Sequence, residues 1–324
     1  KFGMQFFVID QFFPCCHNPH HGHRIGKYAG TANFNAAIEL FALLDRENPD
    51  LFIQLYWGFR SPWWLLWADT IFEPSGIYIE ARNPTRPTLF FRDSVTLGLD
   101  RAHEFTRTVP RLGKDSLGVW LTKNLWNSDV GTERWQAALV MDLFRGSLLA
   151  QLWGHPAMLT TTEWNEAATL IGLLKAHPEC FANTRLIVGN PWRDPVYGYC
   201  ATDGRRAFIA LNNCSWREAR VDLELNERWG LPSGQRWNLY RWWPRPARLC
   251  GAGQIPEHGQ HVRFEMRPFE IVLLVGVRTG CSPALGRRFT DESLPRRFAE
   301  PSRAVARHVR RRQVRAPSSP TEQR

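Results

Sequence analysis

The sequence predicts an α/β fold: part of a (β/α) barrel followed by a small antiparallel β-sandwich. Three observations carry this. Strand-like and helical stretches alternate through residue 176, beginning with a strand, loop, helix, strand unit over residues 5–56. Several of the strand ends open into long loops, which fits a barrel better than an open sheet. From Tyr197 onward short β-prone runs follow one another with turn residues between them and no helical pattern.

In chain order, Gln5-Phe6-Phe7-Val8-Ile9-Asp10 is an apolar strand that ends on a carboxylate. A loop rich in Pro, Gly, Cys and His occupies residues 11–30. Phe34 to Arg46 has apolar residues at helical spacing, with Thr31 or Asn33 as caps. After the turn Asn48-Pro49-Asp50, Leu51 to Tyr56 reads as a buried parallel strand, because it is continuously apolar. A second apolar run follows Gly58 and ends on Asp69. On this reading Asp10 and Asp69 both fall at the carboxyl ends of neighbouring parallel strands.

Further along, Thr88 to Asp93 resembles a strand and Ser94 to Arg107 a helix. Ser116 to Leu121 reads as a strand, Trp135 to Trp153 as one long amphipathic helix ending at Gly154, and Pro156 to Leu159 as a short strand. A helix from Glu163 to Ala176 would be capped by Thr161 or Thr162. The sandwich strands are expected at 196–200, 206–211, 219–223, 237–241, 261–265 and 269–274. The domain limits are therefore 1–195 for the barrel part, 196–277 for the sandwich and 278–324 for a tail.

The tail explains the charge. The chain carries a net +10, but residues 278–324 hold twelve Arg and no Lys against four acids, so the tail supplies +8 of it. Its Arg-, Pro- and Ser-bearing composition has little apolar periodicity, which predicts disorder. The folded body is close to neutral and is not expected to bind nucleic acid. No apolar run approaches the roughly 18 residues that a membrane helix requires. The seven Cys include no CxxC pair and read as mostly free thiols, which leans towards a reducing compartment. The chain begins at Lys1 and enters a strand almost directly, so it reads as a fragment, and its localisation stays open.

Three constellations could carry chemistry. Asp10 with Asp69 suits glycoside cleavage, in which one carboxylate attacks the sugar carbon and the other protonates the departing oxygen. Around them crowd Trp57, Trp63, Trp64 and Trp67, whose indoles can stack on sugar rings, and Arg60, whose guanidinium can hold hydroxyls. The same apolar cluster can equally be plain core, with Asp69 as a helix cap. The second constellation is Cys15-Cys16-His17-Asn18-Pro19-His20-His21-Gly22-His23. It is dense in soft ligands, but its spacing matches no zinc signature, so an exposed loop is the favoured reading and no metal is assigned. The third is Arg92-Asp93, either a loop ion pair that contacts substrate or a reserve acid. Phosphate loops, dinucleotide fingerprints and serine nucleophile elbows are absent, and no cofactor is called for.

These residues also carry a resemblance. A strand ending in Asp, then Asn-Pro-Asp and a strand, then Trp-Ala-Asp-Thr-Ile, resembles the core of the melibiase-type glycoside hydrolases of the α-galactosidase clan. Phe7-Val8-Ile9-Asp10 corresponds to their nucleophile motif and Ala68-Asp69-Thr70-Ile71 to their acid/base motif. Leu159 to Trp164, Tyr197-Gly198-Tyr199 and Arg267 to Leu274 resemble the last barrel unit and the closing sandwich. The resemblance implies the second half of a barrel, from about strand four. It also implies a retaining hydrolase of α-linked, galactoside-like sugars, with Asp10 as nucleophile and Asp69 as acid/base. Val8 stands where the family commonly has a Lys that binds substrate hydroxyls. A carbohydrate-binding relative without turnover, or an inactive fragment, is the alternative.

Overall fold

The computed structural model describes residues 3–10, 12, 15–56, 58–59, 61–72, 113–115, 119–120, 135–146, 151–153, 159–244, 247–249 and 257–281. The chain forms two units, Lys1–Ser75 with Ala102–Ser116, and Gly76–Arg101 with Leu117–Arg324.

The first unit is built on a four-stranded, all-parallel sheet whose strand order follows the chain: β1 (Phe6–Ile9), β2 (Phe52–Leu55), β3 (Thr70–Phe72) and β4 (Lys114–Asp115). Register runs from Phe6 opposite Phe52 to Ile9 opposite Leu55, and Gln54 lies opposite Thr70. Among the described strands the order does not reverse, so they form no switch point of the doubly wound kind. Helix α1 (Gly30–Glu47) makes the crossover between β1 and β2. It is entered from a 3-10 turn at Lys27–Ala29, with Ala29 rather than Thr31 or Asn33 at the N-cap. At its other end the Asn48 side-chain amide donates to the Met4 carbonyl at 2.6 Å, which ties the helix exit to the start of β1.

Alternation along the strands sorts this unit into two faces. Phe7, Ile9, Ile53, Leu55 and Ile71 join Ala37, Phe41, Phe59 and Trp64 in an apolar core between sheet and helix. The opposite face carries Phe6 and Val8, both exposed, and Gln54, Tyr56 and Thr70, all buried.

Among its described residues the second unit holds a short parallel pair, β5 (Val119–Trp120) with β6 (Leu152–Trp153), and the α-helices α2 (Trp135–Phe144), α3 (Thr161–Ala176) and α4 (Pro178–Phe181). Its main element is a six-stranded antiparallel sheet. The strands β7 (Arg185–Val188), β8 (Val196–Thr202), β9 (Arg206–Asn213), β11 (Trp237–Trp243), β12 (Ala247–Arg248) and β14 (Ile271–Arg278) take the order β12-β11-β14-β9-β8-β7. The remaining pair, β10 (Ala219–Glu224) and β13 (His261–Met266), forms a separate antiparallel ladder.

Period-2 alternation here buries both faces of the large sheet. Ala207, Ile209 and Leu211 of β9 share a core with Val221, Leu223, Val262 and Met266 of the β10–β13 ladder. Phe208 and Ala210 face the other way, towards a core with α2 and α4, where Phe144 and Phe181 ring centroids lie 5.8 Å and 5.3 Å from Phe208. The large sheet is therefore covered by a ladder on one side and by helices on the other. Strand β7 sits N-terminal to residue 196, yet it is the edge strand of this sheet.

Several expected elements take other forms. The helix expected over 135–153 ends at Phe144, because Gly146 adopts φ 102°, outside helical space; Leu152–Trp153 then extends beside β5. Thr160, not Thr161 or Thr162, caps α3, in a capping box with Glu163. The elements expected at 88–93 and 94–107, and the tail beyond residue 281, lie outside the described residues. Among the described residues, no helix is long and apolar enough to cross a membrane.

Candidate active site

In a parallel sheet, loops at the carboxyl ends of the strands meet on one edge, and that edge is where functional side chains gather. Asp10 is there. It follows β1 directly, is exposed, and alternation puts it on the face of Val8, away from α1. Ile9 lies opposite Leu55, so the next residues in the two strands, Asp10 and Tyr56, are neighbours along the edge. The Tyr56 N–H donates to the Ile9 carbonyl at 2.8 Å, which locks the two strand ends together.

Tyr56 is buried, and its hydroxyl accepts a hydrogen bond from the Gln54 side-chain amide at 3.0 Å. Both residues lie on the Asp10 face of β2. The sequence reading missed them, because a Gln and a Tyr inside an apolar run look like strand filler. The available signal was the period: Gln54 and Tyr56 share a face with each other and oppose Ile53 and Leu55.

The loops beyond the two strands are packed together. Phe12 stacks on Phe59 with ring centroids 4.6 Å apart. Gly58 has φ 98°, and a Cβ there would come within 1.9 Å of the Phe12 carbonyl oxygen. Only glycine fits this crossing of backbones.

Asp69 is elsewhere. It precedes β3 rather than ending a strand, so it lies at the amino end of that strand. Its carboxylate Oδ2 accepts the Ile53 N–H at 2.7 Å, and its own N–H donates to the Ile53 carbonyl at 3.0 Å. Asp10 is level with Tyr56, three residues further along the strand direction and two strands across. The register thus separates the backbones of Asp10 and Asp69 by roughly 14 Å, at opposite ends of the strands. The expected placement of both at carboxyl ends is corrected. The run read as a strand ending on Asp69 is a 3-10 turn, Pro62–Leu66, capped by Ser61, and the strand begins at Thr70.

The tryptophans divide. Trp64 is 4% exposed and sits among Phe34, Phe41 and Phe59, with centroids 5.5, 6.1 and 4.9 Å away. It is core between sheet and α1, not a sugar platform. Trp63 is 48% exposed and Trp67 is partly buried, with their ring centroids 4.3 Å apart, so Trp63 is the most exposed of these three indoles. Trp57, Arg60 and Asp93 lie outside the described residues.

No protein-family model and no curated protein sequence matches the chain. Solved structures do. The chain aligns with the galactosidase domain of the alpha-galactosidase-sucrose kinase AgaSK (TM-score 0.51, 14% identity, 78% of this chain and 33% of that one). It aligns likewise with alpha-galactosidase I from Mortierella vinacea (TM-score 0.50, 12% identity, 85% and 68%). A third likeness is to the alpha-amylase of Geobacillus thermoleovorans (TM-score 0.51, 10% identity, 77% and 58%). At these identities the likeness is one of fold, and the fold is that of α-galactosidases and related glycosidases. The chain spans between about a third and about two thirds of the length of these proteins.

Proposed function

We propose that this chain is part of a glycoside hydrolase, a distant relative of the melibiase type, and that Asp10 is its nucleophile. The observation that carries the reading is the position of Asp10: exposed, at the carboxyl end of a parallel strand, on the face opposite the covering helix. The glycosidase fold supports it. The substrate class is an α-linked, galactoside-like sugar, and the reaction retains anomeric configuration.

In such a reaction a carboxylate oxygen of Asp10 forms a bond to the anomeric carbon while the glycosidic oxygen leaves with a proton from a second carboxyl group. That second group then takes a proton from water, whose oxygen attacks the same carbon, releases the sugar and restores the Asp10 carboxylate. Tyr56, beside Asp10 and held by Gln54, would fix the carboxylate's environment. Asp69 fits this second role poorly, since its carboxylate is tied to the Ile53 backbone at the opposite end of the strands. Asp93 is the acid that the sequence leaves for the test.

The test is turnover of chromogenic aryl α-glycosides, with product configuration read by NMR. Asp10→Ala is expected to abolish turnover while sugar binding persists, and azide is expected to restore turnover by attacking the emptied face. An Asp10→Ala protein as active as the parent sinks the assignment. A second reading, a carbohydrate-binding relative without turnover, is favoured by Val8, which gives the nucleophile's strand an apolar side chain where a hydroxyl-binding cation would serve catalysis. It predicts sugar affinity without product in the parent chain.

A further inference from the structure

We infer that the loop between β1 and α1 holds a zinc-class metal ion on Cys16, His21 and His23. The Sγ and ring nitrogens of these three residues all lie within 4.8 Å of one another. The Cys16 Sγ to His21 Nδ1 distance is 3.3 Å. Around a tetrahedral Zn(II), with Zn–S about 2.3 Å and Zn–N about 2.0–2.1 Å, neighbouring ligand atoms sit roughly 3.3–3.6 Å apart. The Cys16–His21 pair already has that spacing, and the whole set lies within 4.8 Å.

The backbone that brings the three together is built for it. The Gly26 N–H donates to the Cys16 carbonyl at 2.6 Å, closing the loop into a ring of fixed width. Asn18 Oδ1 accepts the His20 N–H at 2.9 Å, and the turn carries the chain back towards Cys16. Gly22 adopts φ 72°, which reverses the chain between the two imidazoles and leaves their rings edge-to-face at 5.7 Å.

An outer shell is present as well. His23 Nδ1 lies 2.9 Å from the Arg24 carbonyl, which can only accept, so Nδ1 carries the proton and Nε2 presents its lone pair. The Asn18 side-chain Nδ2 lies 2.8 Å from His21 Nε2, which orients that ring with Nδ1 towards Cys16. Thiolate and imidazole donors without carboxylate or carbonyl ligands suit Zn(II) and exclude calcium or magnesium as the occupant. Cys16 and His23 are half-buried and His21 is exposed, so three protein ligands leave a fourth position to water. The ion would clamp the loop that leaves β1 just after Asp10. This inference stands independently of the glycosidase reading.

The test uses the whole chain, stripped with chelator under reducing conditions and titrated with Co(II), then Zn(II). One equivalent of Co(II) should bind with a thiolate-to-metal charge-transfer band and the intense visible bands of a tetrahedral site, and Zn(II) should displace it. Cys16→Ala should remove the charge-transfer band, and His21→Ala and His23→Ala should each weaken binding by at least about tenfold. Cys15→Ala should leave both unchanged, and circular dichroism confirms that each variant is folded. No thiolate band in the parent chain, a band that survives Cys16→Ala, or one that vanishes with Cys15→Ala overturns the assignment.

Discussion

The backbone N–H of Ile53 donates to Oδ2 of Asp69 at 2.7 Å, and the Asp69 N–H returns to the Ile53 carbonyl at 3.0 Å. This reciprocal pair opens β3 alongside β2, so the carboxylate works as a structural clasp. Charge-assisted bonds from backbone amides contribute more than neutral ones. Asp69→Ala should lower stability by about 1–2 kcal/mol, and Asp69→Asn by less, because an amide oxygen can still accept the bond. Thermal denaturation measures this. In the hydrolase reading, Asp69→Ala should also slow good and poor leaving groups alike. A selective loss on poor leaving groups would return Asp69 to the role of acid.

Trp63 and Trp64 are adjacent in sequence and opposite in consequence. Trp64→Ala empties a site enclosed by Phe34, Phe41 and Phe59 and should cost about 3–5 kcal/mol. Trp63→Ala removes a side chain that is nearly half exposed and should change stability by less than about 1 kcal/mol. Should Trp63 stack on a sugar ring, its loss will weaken sugar binding at an unchanged melting temperature. An equal fall in stability for both variants would contradict the assignment of Trp64 to the core.

The contrast between these two indoles shows what the sequence could carry. The βαβ unit was legible because Phe34 to Arg46 and Leu51 to Tyr56 obey different periods, and α1 and β2 fall there. The strands after Tyr197 were legible for the same reason, each flanked by turn residues. Asp69 was not legible. Pro62-Trp63-Trp64-Leu65-Leu66 is as apolar as a strand, and apolarity alone does not distinguish a strand from a 3-10 turn packed on a helix. The Ser61-Pro62 pair was the signal, since a capping Ser followed by Pro starts helical turns. Strand β7 escaped because Arg185 to Val188 is short and follows α4 without a turn of Gly or Pro. Of the candidate site, Asp10 could be read from a strand ending on a carboxylate. The period alone could put its neighbours Gln54 and Tyr56 on one face of β2, but the register was needed to set that face beside Asp10.

The cap of α3 gives a simple test of local structure. Thr160 accepts the Glu163 N–H at 3.3 Å, and the Glu163 carboxylate accepts both the N–H and the hydroxyl of Thr160 at 2.8 Å. Thr160→Ala should destabilise the chain by about 1 kcal/mol, whereas Thr161→Ala and Thr162→Ala, inside the first turn, should have little effect. Chemical denaturation separates these outcomes, and an effect centred on Thr161 or Thr162 would refute the cap.

Glu166, one turn further along α3, makes stability depend on pH in an unusual direction. Burial is the main cause that lifts its pKa from 4.5 to about 7; the Gln136 side chain opposes this by hydrogen bonding, and the charge of Glu163 adds to it. One carboxyl oxygen, Oε2, has no hydrogen-bond partner among the described residues, as suits a group that is neutral when folded. In the unfolded chain Glu166 ionises near its ordinary value. Between about pH 4.5 and 7 the folded state therefore holds a proton that the unfolded state has released, and stability falls as pH rises across that window. Below it both states are protonated and the full contribution is present; above it both are ionised and the loss is complete. Glu166→Gln replaces the neutral acid with a neutral amide of the same shape. Its unfolding free energy should exceed that of the parent chain by about 3 kcal/mol more at pH 8 than at pH 4. Urea titrations at the two pH values give this difference directly. A gap that does not change with pH would mean that Glu166 is ionised in the folded protein, held by charges that its burial does not reveal.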